Sequence, residues 1–173
     1  SSDETENVGR ASGVHHAARQ TRTLEAEDMK AFSLWQPWAS AIAAGLKTIE
    51  TRSWGTSYRG PLAIHAAKRF TSAESELWSI LAKRPATLPA FRLIGVNGAT
   101  DLPLGVIVAT CEIYGCVSTN DVPPFVHRCA PNEMEWGNFS PNRYAWMLRN
   151  VQPIISGDPC VGHQGFWEWE GSR

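Results

Sequence analysis

Three chargeable side chains lie close together in the stretch GLKTIETRSW: Lys47, Glu50 and Arg52. A carboxylate beside two cations stays ionised, and a lysine that is buried next to an arginine can lose its proton and act as a base. Such a base would activate water or a hydroxyl, with Thr48 and Thr51 as the neighbouring hydroxyl nucleophiles. The opposite interpretation is a solvated ion pair at a sheet edge, worth about 0–1 kcal/mol. The spacing alone leaves both interpretations open.

Whether the three side chains meet depends on the backbone before them. In a regular strand Glu50 and Arg52 point to one face of the sheet and Lys47 points to the other. Gly45 permits unusual backbone angles, so a turn at that glycine can return Lys47 to the side of its neighbours. We therefore predict one shared site on the condition that the chain turns after Gly45.

Aromatic and polar residues near this stretch suggest a wall for a flat ligand. Tryptophan is large and has an N–H that needs a partner, so some of the eight tryptophans should line a groove rather than enter the core. In LWQPW we predict that Trp38 packs the following helix against the core, while Trp35 and Gln36 lie at the mouth of a cleft. Each candidate also has a plain explanation as a core or surface residue. The candidate ligand contacts are Trp35, Gln36, Trp54, His65, Arg143 and Tyr144, with His163 and Gln164 on a loop.

The elements that must position these residues follow from periodicity and turn signals. Pro37 suits the first turn of a helix that continues through several alanines and ends at Gly45. A strand-like pattern begins at Thr48. Further strands are predicted at 60–67, 105–117, 143–154 with a break near Asn150, and 165–170.

A second helix is predicted at 71–83, where Thr71 and Glu74 have the spacing of a capping box. Its apolar face comprises Leu77, Ile80 and Leu81. Residues 83–104 contain prolines and glycines and are interpreted as a long connection. Strands outnumber helices without alternating regularly with them. This order favours an α+β fold, a small mixed β-barrel with flanking helices, over a doubly wound sheet.

Composition limits the class of ligand. The 173 residues suit one domain, and the formal net charge is −1. Strong binding to long nucleic acid normally needs a basic surface that releases counterions, and this chain has no basic excess. A small uncharged or weakly charged ligand fits the charge better.

The cysteines and the polar N-terminus carry no sign of a metal site or a membrane anchor. The four cysteines form no C-x-x-C pair, and His127 before Cys129 does not complete a usual zinc spacing. We therefore expect free, mostly buried thiols, no metal and no cofactor. No apolar run reaches the length of a membrane span, so we expect a soluble, cytoplasmic monomer. Residues 1–28 are polar and are interpreted as a flexible tail or an expression remnant before a domain at 29–173.

Several segments together resemble one family, whereas the common phosphate-binding and hydrolase motifs are absent. The segments are SLWQPWASAIAAGLKTIETRSWGTSYRGPLAIHAAK, GVIVATCEI, GNFSPNRYAWML and GHQGFWEW. They resemble the ASCH (activating signal cointegrator homology) domain, of PUA-like fold, over about residues 29–170. The motif G-x-K-x-x-E-x-R falls on Gly45, Lys47, Glu50 and Arg52, and this match favours a shared cleft.

The resemblance implies a β-barrel whose cleft beside the first helix holds RNA or a nucleobase-like ligand. Some small members of the family remove acyl groups from N4-acylated cytidine, and another branch is associated with RNA cleavage. In those amidohydrolases a threonine nucleophile lies three residues after the motif lysine, where this chain has Glu50. Relatives also often carry glycine where this chain has Asn142, which tolerates the same left-handed angles.

The function expected from the residues and the resemblance is therefore hydrolysis of an acyl-modified cytosine base or nucleoside. Glu50 would activate a water, Lys47 would assist, and Arg52 would be their electrostatic partner. One alternative is a single-stranded RNA-binding module without chemistry, and another is a ribonuclease that uses the same cleft. A binding module for RNA should lose affinity steeply as salt rises, whereas the hydrolase should not.

Overall fold

One mixed six-stranded sheet carries the core of the protein and forms most of its cleft. The computed structural model describes residues 29–121 and 133–171. The strands are β1 (Met29–Leu34), β2 (Ile49–Arg52), β3 (Gly60–Ala66), β4 (Val106–Ser118), β5 (Tyr144–Pro153) and β6 (Phe166–Trp169). The helices are α1 (Trp38–Ala43), α2 (Ser72–Leu81) and α3 (Thr87–Arg92), and short 3₁₀ turns cover Ala99–Asp101, Thr119–Asp121 and Glu133–Glu135.

The sheet curls until strands that are distant in its order touch. The order is β2-β5-β4-β3-β1-β6; β1 and β3 run parallel, and the other neighbouring strands run antiparallel. Phe166 of β6 nevertheless stacks on Trp146 of β5, with 5.2 Å between ring centroids. Phe32 of β1 meets the same indole at 5.0 Å. The predicted α+β architecture, a small mixed PUA-like barrel with flanking helices, is confirmed as a curled half-barrel.

The first helix forms as predicted, between Pro37 and a glycine turn. Gly45 has φ +75°, the left-handed conformation that ends the helix and redirects the chain. Gln36 caps the helix start, because its Oε1 accepts from the backbone N–H of Ser40 at 3.1 Å. Its Nε2 donates to the Ser40 hydroxyl and to the Pro103 carbonyl, each at 2.8 Å. The LWQPW turn is thereby fixed to the loop that precedes β4.

The second helix has the predicted capping box, but its buried face differs from the prediction. Thr71 and Glu74 bond reciprocally at the start of α2. Ile80, predicted to be on the apolar face, is 59% exposed. The helix instead buries Glu74, Trp78 and Leu81, which follow one another at spacings of four and three residues and therefore lie on one face. Ile80 lies beside that face.

The prediction of a long connection at 83–104 was wrong in part, because α3 and a 3₁₀ turn lie within this segment. Pro89 stands in the first turn of α3, where its missing N–H would have no partner within the helix. Phe91 is fully buried and packs on Trp78 at 4.9 Å between ring centroids. Phe91 also stacks on Trp136 at 6.1 Å, so the helix is held by a buried aromatic cluster that proline content does not reveal.

The predicted break near Asn150 is a bulge inside a continuous β5. Asn150 has φ +53°, and the register between β4 and β5 shifts between Thr110 and Glu112. The Asn150 side chain donates to the Glu112 carboxylate at 3.0 Å. The sequence analysis also assigned no element to 29–34, which form β1 beside the centre of the sheet.

None of the helices in the described residues has the length and apolar character needed to cross a bilayer. The predicted tail at 1–28 lies outside the described residues, as do His127 and Cys129.

Candidate functional site

A cleft of about 870 Å³ opens beside the first helix. It is bounded by the end of β1, the start of α1, strand β2, the segment 135–138 and the loop 163–165. This volume lies within the range of about 300–1,000 Å³ that is usual for small-molecule sites. The cleft is therefore large enough for a nucleoside-sized ligand.

The floor of the cleft is an ion-paired chain of three side chains. Glu50 Oε2 lies 3.2 Å from Lys47 Nζ, and Glu50 Oε1 lies 2.9 Å from Arg52 Nε. Lys47 is 1% exposed and Glu50 is 8% exposed, so this is a buried cluster rather than a solvated edge pair. The turn at Gly45 brings Lys47 to the side of Glu50 and Arg52, as the conditional prediction required.

Lys47 is bonded on every N–H of its ammonium group. Besides Glu50, its Nζ donates to the carbonyls of Ile49 at 2.5 Å and Trp136 at 2.7 Å. An ammonium group has three donors, and the three oxygens match them. The side chain thus ties β2 to the segment that follows Glu133–Glu135, and it holds the Glu50 carboxylate in place.

Glu133 is a site-building residue that the sequence analysis missed. Its buried carboxylate accepts from the backbone N–H of Thr48 at 2.9 and 3.0 Å, from the Thr48 hydroxyl at 3.0 Å and from the Ile49 N–H at 2.7 Å. Eighty-five residues separate Glu133 from Thr48, so no local spacing could have indicated the contact. The Thr48 hydroxyl is used there and lies outside the cleft lining. Thr51 does line the cleft, and its Oγ1 accepts from the N–H of Asn138 at 3.0 Å.

Aromatic side chains form the walls. Trp54 is 40% exposed, and its ring meets the Trp146 ring edge-on with 4.6 Å between centroids. The Trp146 Nε1 donates to the Trp54 carbonyl at 3.3 Å, which fixes the backbone of Trp54. The guanidinium of Arg52 lies 4.4 Å from the centroid of the Phe32 ring. Trp35 and Trp38 complete the aromatic lining.

In the LWQPW stretch, the side chains that face the cleft are only in part the ones that the sequence predicted. Trp38 lines the cleft as well as belonging to α1. Gln36, predicted at the mouth, is fully buried and uses its amide to cap the helix. Trp35 lines the cleft and is 46% exposed. The backbone turn, rather than the residue types, decides which of these side chains faces the cleft.

Three of the remaining candidates, Arg143, His163 and Gln164, line the cleft rim, whereas Tyr144 and His65 do not. Arg143 lines it while donating to the Asn138 carbonyl at 3.1 Å and to the Thr51 carbonyl at 3.2 Å. Asn142 before it has φ +63°, so asparagine supports the turn. His163 lies on the rim with its neighbour Gln164. Tyr144 instead packs over Gly55, outside the cleft lining.

His65 is buried behind the cleft rather than in it. Its Nδ1 lies 3.1 Å from the Ser33 hydroxyl. Burial lowers the pKa of His65 from its ordinary value of 6.5; the backbone at Cys160 raises this pKa in part, and Lys68 and His163 lower it further. The folded protein therefore favours the neutral ring.

This burial predicts a pH-dependent stability. Above pH 6.5 the His65 ring is neutral in both states, and below it the unfolded state takes up protons more readily, so the free energy of unfolding should fall as the pH falls. Urea denaturation at pH 7.5, 6.5 and 5.5 measures how steeply the free energy of unfolding depends on pH. His65→Asn, which retains an acceptor near the Ser33 hydroxyl, should strongly reduce this pH dependence, whereas His163→Asn, which removes only the smallest contribution to the His65 pKa, should change it little. An unchanged slope in His65→Asn would contradict the assignment.

No group of three or more His, Cys, Asp or Glu side chains within residues 29–121 and 133–171 is arranged to hold a metal ion. Cys111, Cys116 and Cys160 are free thiols. Burial raises the pKa of the Cys111 thiol to about 12, so this group is an inert thiol of the core.

The motif residues Lys47, Glu50 and Arg52 thus line one cleft, and Gly45 provides the turn before them. The ASCH domain model matches residues 32–154. The chain belongs to the ASCH domain family. This family is associated with RNA binding.

Named relatives share the domain at low identity. Activating signal cointegrator 1 from Mus musculus is 26% identical over 136 residues, which cover 79% of this chain and 21% of the relative. The Homo sapiens protein of the same name has the same identity and coverage. This ASCH chain therefore spans about a fifth of the length of the curated relatives that it matches.

Among solved structures, that of ASCH from Zymomonas mobilis is similar to this chain. Its sequence identity is 18%, its TM-score is 0.42, and the match covers 72% of this chain and 69% of the other.

Proposed function

We propose that the cleft of this ASCH domain binds the base of a cytosine-type nucleoside or nucleotide. The observation that carries the proposal is the ion-paired Lys47–Glu50–Arg52 chain on the cleft floor, in which Lys47 and Glu50 are buried, together with the exposed ring of Trp54. The aromatic wall offers a flat stacking surface, and the charged chain offers fixed polar groups for a base edge. Both features are organised before a ligand arrives, which reduces the entropic cost of binding.

The polar floor matches a base edge that has a donor beside an acceptor. A carboxylate has about four lone-pair positions, so Glu50 retains acceptor capacity after it pairs with Lys47 and Arg52. Arg52 Nε is buried and, among the described residues, has no hydrogen-bond partner, although it lies 2.9 Å from Glu50 Oε1 as an ion pair. Glu50 would accept from the exocyclic amine of cytosine, and Arg52 would donate to its ring nitrogen or carbonyl.

The charge of the cleft favours a short ligand over a long strand. Three cationic side chains, Lys47, Arg52 and Arg143, and two carboxylates, Glu50 and Glu135, line it, so its net charge is one positive when histidine is counted as neutral. Each phosphate contact adds a salt slope of about −0.7 in log affinity for single strands. We expect the affinity to fall with salt by no more than one phosphate contact would cause, whereas the affinity for a long RNA would fall much more steeply.

The finer activity that we propose is hydrolysis of an N4-acylated cytosine. A water in the cleft would lose a proton to Glu50, and its oxygen would form a bond to the acyl carbon. The bond between that carbon and N4 would then break, with the proton passing to the leaving amine, and the products would be cytosine and a carboxylic acid. Because its three donors are occupied, Lys47 would act by holding and charge-balancing Glu50 rather than as the base. The support for this activity is that a buried carboxylate lines the cleft.

The test is calorimetric titration with cytidine and with N4-acetylcytidine, together with measurement of cytidine release. Trp54→Ala should weaken binding roughly tenfold, since stacking on one base is worth about 1–3 kcal/mol. Glu50→Gln should lower cytidine release about 10²-fold or more, as is typical for loss of a general base. Thermal unfolding of each variant identifies any effect on folding.

The matched controls lie outside the cleft on β4. Glu112→Gln alters a carboxylate that is paired with Arg149 on the surface, and Tyr114→Ala removes an exposed ring. Neither should change binding or release. Cytidine binding without product would retain the binding function and reject the hydrolase. Salt-sensitive binding to single-stranded RNA without nucleoside binding would favour an RNA-binding module, and strand cleavage would favour a ribonuclease.

A further inference from the structure

The mouth of the cleft contains a second aromatic surface, separate from the wall at Trp54. Trp35 directly follows β1, lines the cleft and is 46% exposed, although tryptophan normally buries most of its area. Trp54 follows β2 and makes ring contacts with Phe32, Trp146 and Phe166. The two indoles, both within the described residues, make no ring contact with each other and belong to different walls.

The ring of Trp35 is held from one side by a cation. The guanidinium carbon of Arg69 lies 4.0 Å from the ring centroid. Arg69 Nε in turn lies 3.3 Å from the Glu74 carboxylate, which is buried and accepts from the Thr71 N–H at 2.7 Å. The capping box of α2 therefore fixes the position of Arg69, and Arg69 fixes one face of Trp35.

Because Arg69 covers one face of the indole, the exposed area of Trp35 belongs mainly to the other face and the ring edge. An exposed flat ring that is pre-positioned beside a binding cleft loses little conformational freedom when a ligand stacks on it. The floor groups Lys47, Glu50 and Arg52 lie on or next to β2, whereas Trp35 follows β1, and these two strands are not neighbours in the sheet. A ligand that fills both places must carry two flat groups.

We propose that Trp35, backed by Arg69, is a second stacking site that takes the neighbouring base of a short single-stranded oligonucleotide. The inference rests on the proposed function and extends it, since it makes the preferred ligand at least a dinucleotide with one base on the floor and the next on Trp35. Stacking accepts any base, so this second site adds affinity with little sequence preference.

The experiment compares cytidine 3′-(methyl phosphate) with the dinucleotide cytidylyl-(3′→5′)-cytidine, two phosphodiesters that each carry one negative charge, by isothermal titration calorimetry at constant salt. The dinucleotide adds a base and a ribose but no net negative charge, so a gain in affinity reports the second base rather than electrostatics. We expect the dinucleotide to bind roughly tenfold more tightly than the mononucleotide. Trp35→Ala should remove this gain, so that the variant binds the dinucleotide no more tightly than the mononucleotide, and Trp35→Phe should retain most of it.

The matched control is Tyr114→Ala, because Tyr114 is also an exposed aromatic covered by a guanidinium, with Arg149 at 5.3 Å, but it lies outside the cleft lining. This variant should retain the full gain. Equal affinity for the two ligands in the wild type would overturn the second site while leaving the proposed function intact. A gain in affinity for the dinucleotide that persists in Trp35→Ala would also overturn the second site. Failure of both ligands to bind would instead reject the base-binding cleft, and the second site with it.

Discussion

Lys47→Met is expected to lower the free energy of unfolding by about 3–5 kcal/mol, which is the usual cost of removing one partner from a buried ion pair. Methionine fills a similar volume but cannot neutralise Glu50, which is 8% exposed. The variant also removes the donor to the Ile49 and Trp136 carbonyls. Urea denaturation at pH 7 measures the loss, and binding of cytidine should fall as the floor is disordered.

A second variant separates the unpaired charge from lost packing. In Lys47→Met with Glu50→Gln, the uncompensated carboxylate is gone, so part of the lost stability should return. The surface control is Lys30→Met, which breaks an exposed pair with Glu168 at 2.7 Å and should lower the free energy of unfolding far less. If Lys47→Met were as mild as Lys30→Met, the buried chain would not hold the cleft floor as described.

Glu133→Ala should lower the free energy of unfolding by about 3 kcal/mol. Its carboxylate accepts from two backbone N–H groups and one hydroxyl at the start of β2, and hydrogen bonds to a charged group are worth about 1.5–3 kcal/mol each without being additive. The alanine leaves the Thr48 and Ile49 N–H groups without this acceptor. Their amide hydrogen exchange should speed up more than that of β3, which lies in the middle of the sheet.

The matched control for Glu133 is two residues away. Glu135→Ala removes a carboxylate that is paired with Arg84 near the surface, and it should change stability by less than about 1 kcal/mol. Glu133→Gln should be intermediate, because the amide retains one acceptor oxygen but adds donors that face other donors. Equal stability of Glu133→Ala and Glu135→Ala would show that β2 does not depend on this carboxylate.

Both predictions concern the same structural connection. Lys47 and Glu133 bind reciprocally across the gap between β2 and the segment that follows the Glu133–Glu135 turn: Lys47 reaches the Trp136 carbonyl, and Glu133 reaches the Thr48 and Ile49 amides. β2 is a four-residue edge strand that pairs with β5 alone among the described strands. Side-chain contacts from outside the sheet therefore stabilise the strand that carries Glu50 and Arg52.

The sequence predicted what depends on nearby residues. The capping box at Thr71 and Glu74, the helix between Pro37 and Gly45, and the β-branched strand at 105–117 each depend on spacing within a few residues. The motif positions were also identified correctly as one cluster, because a turn at a single glycine was enough to unite them. Their chemical role stays a prediction.

What the sequence did not predict depends on distant partners. Glu133 has its partners 84 and 85 residues earlier in the chain. Phe91 packs on Trp78, and this contact stabilises a helix in a segment that its prolines indicated to be a connection. Gln36 was assigned to the ligand and serves as a cap, since its amide is nearer to Ser40 and Pro103 than to the cleft.

By itself, then, the sequence determined the family, the local elements and the set of charged residues on the cleft floor, because these are encoded in short spacings. Only the tertiary structure decided that Lys47 is saturated by three oxygens and which tryptophans face the ligand space. The reason is physical: burial and hydrogen bonding are properties of the packed neighbours, and in a curled sheet those neighbours come from strands that are far apart in the chain.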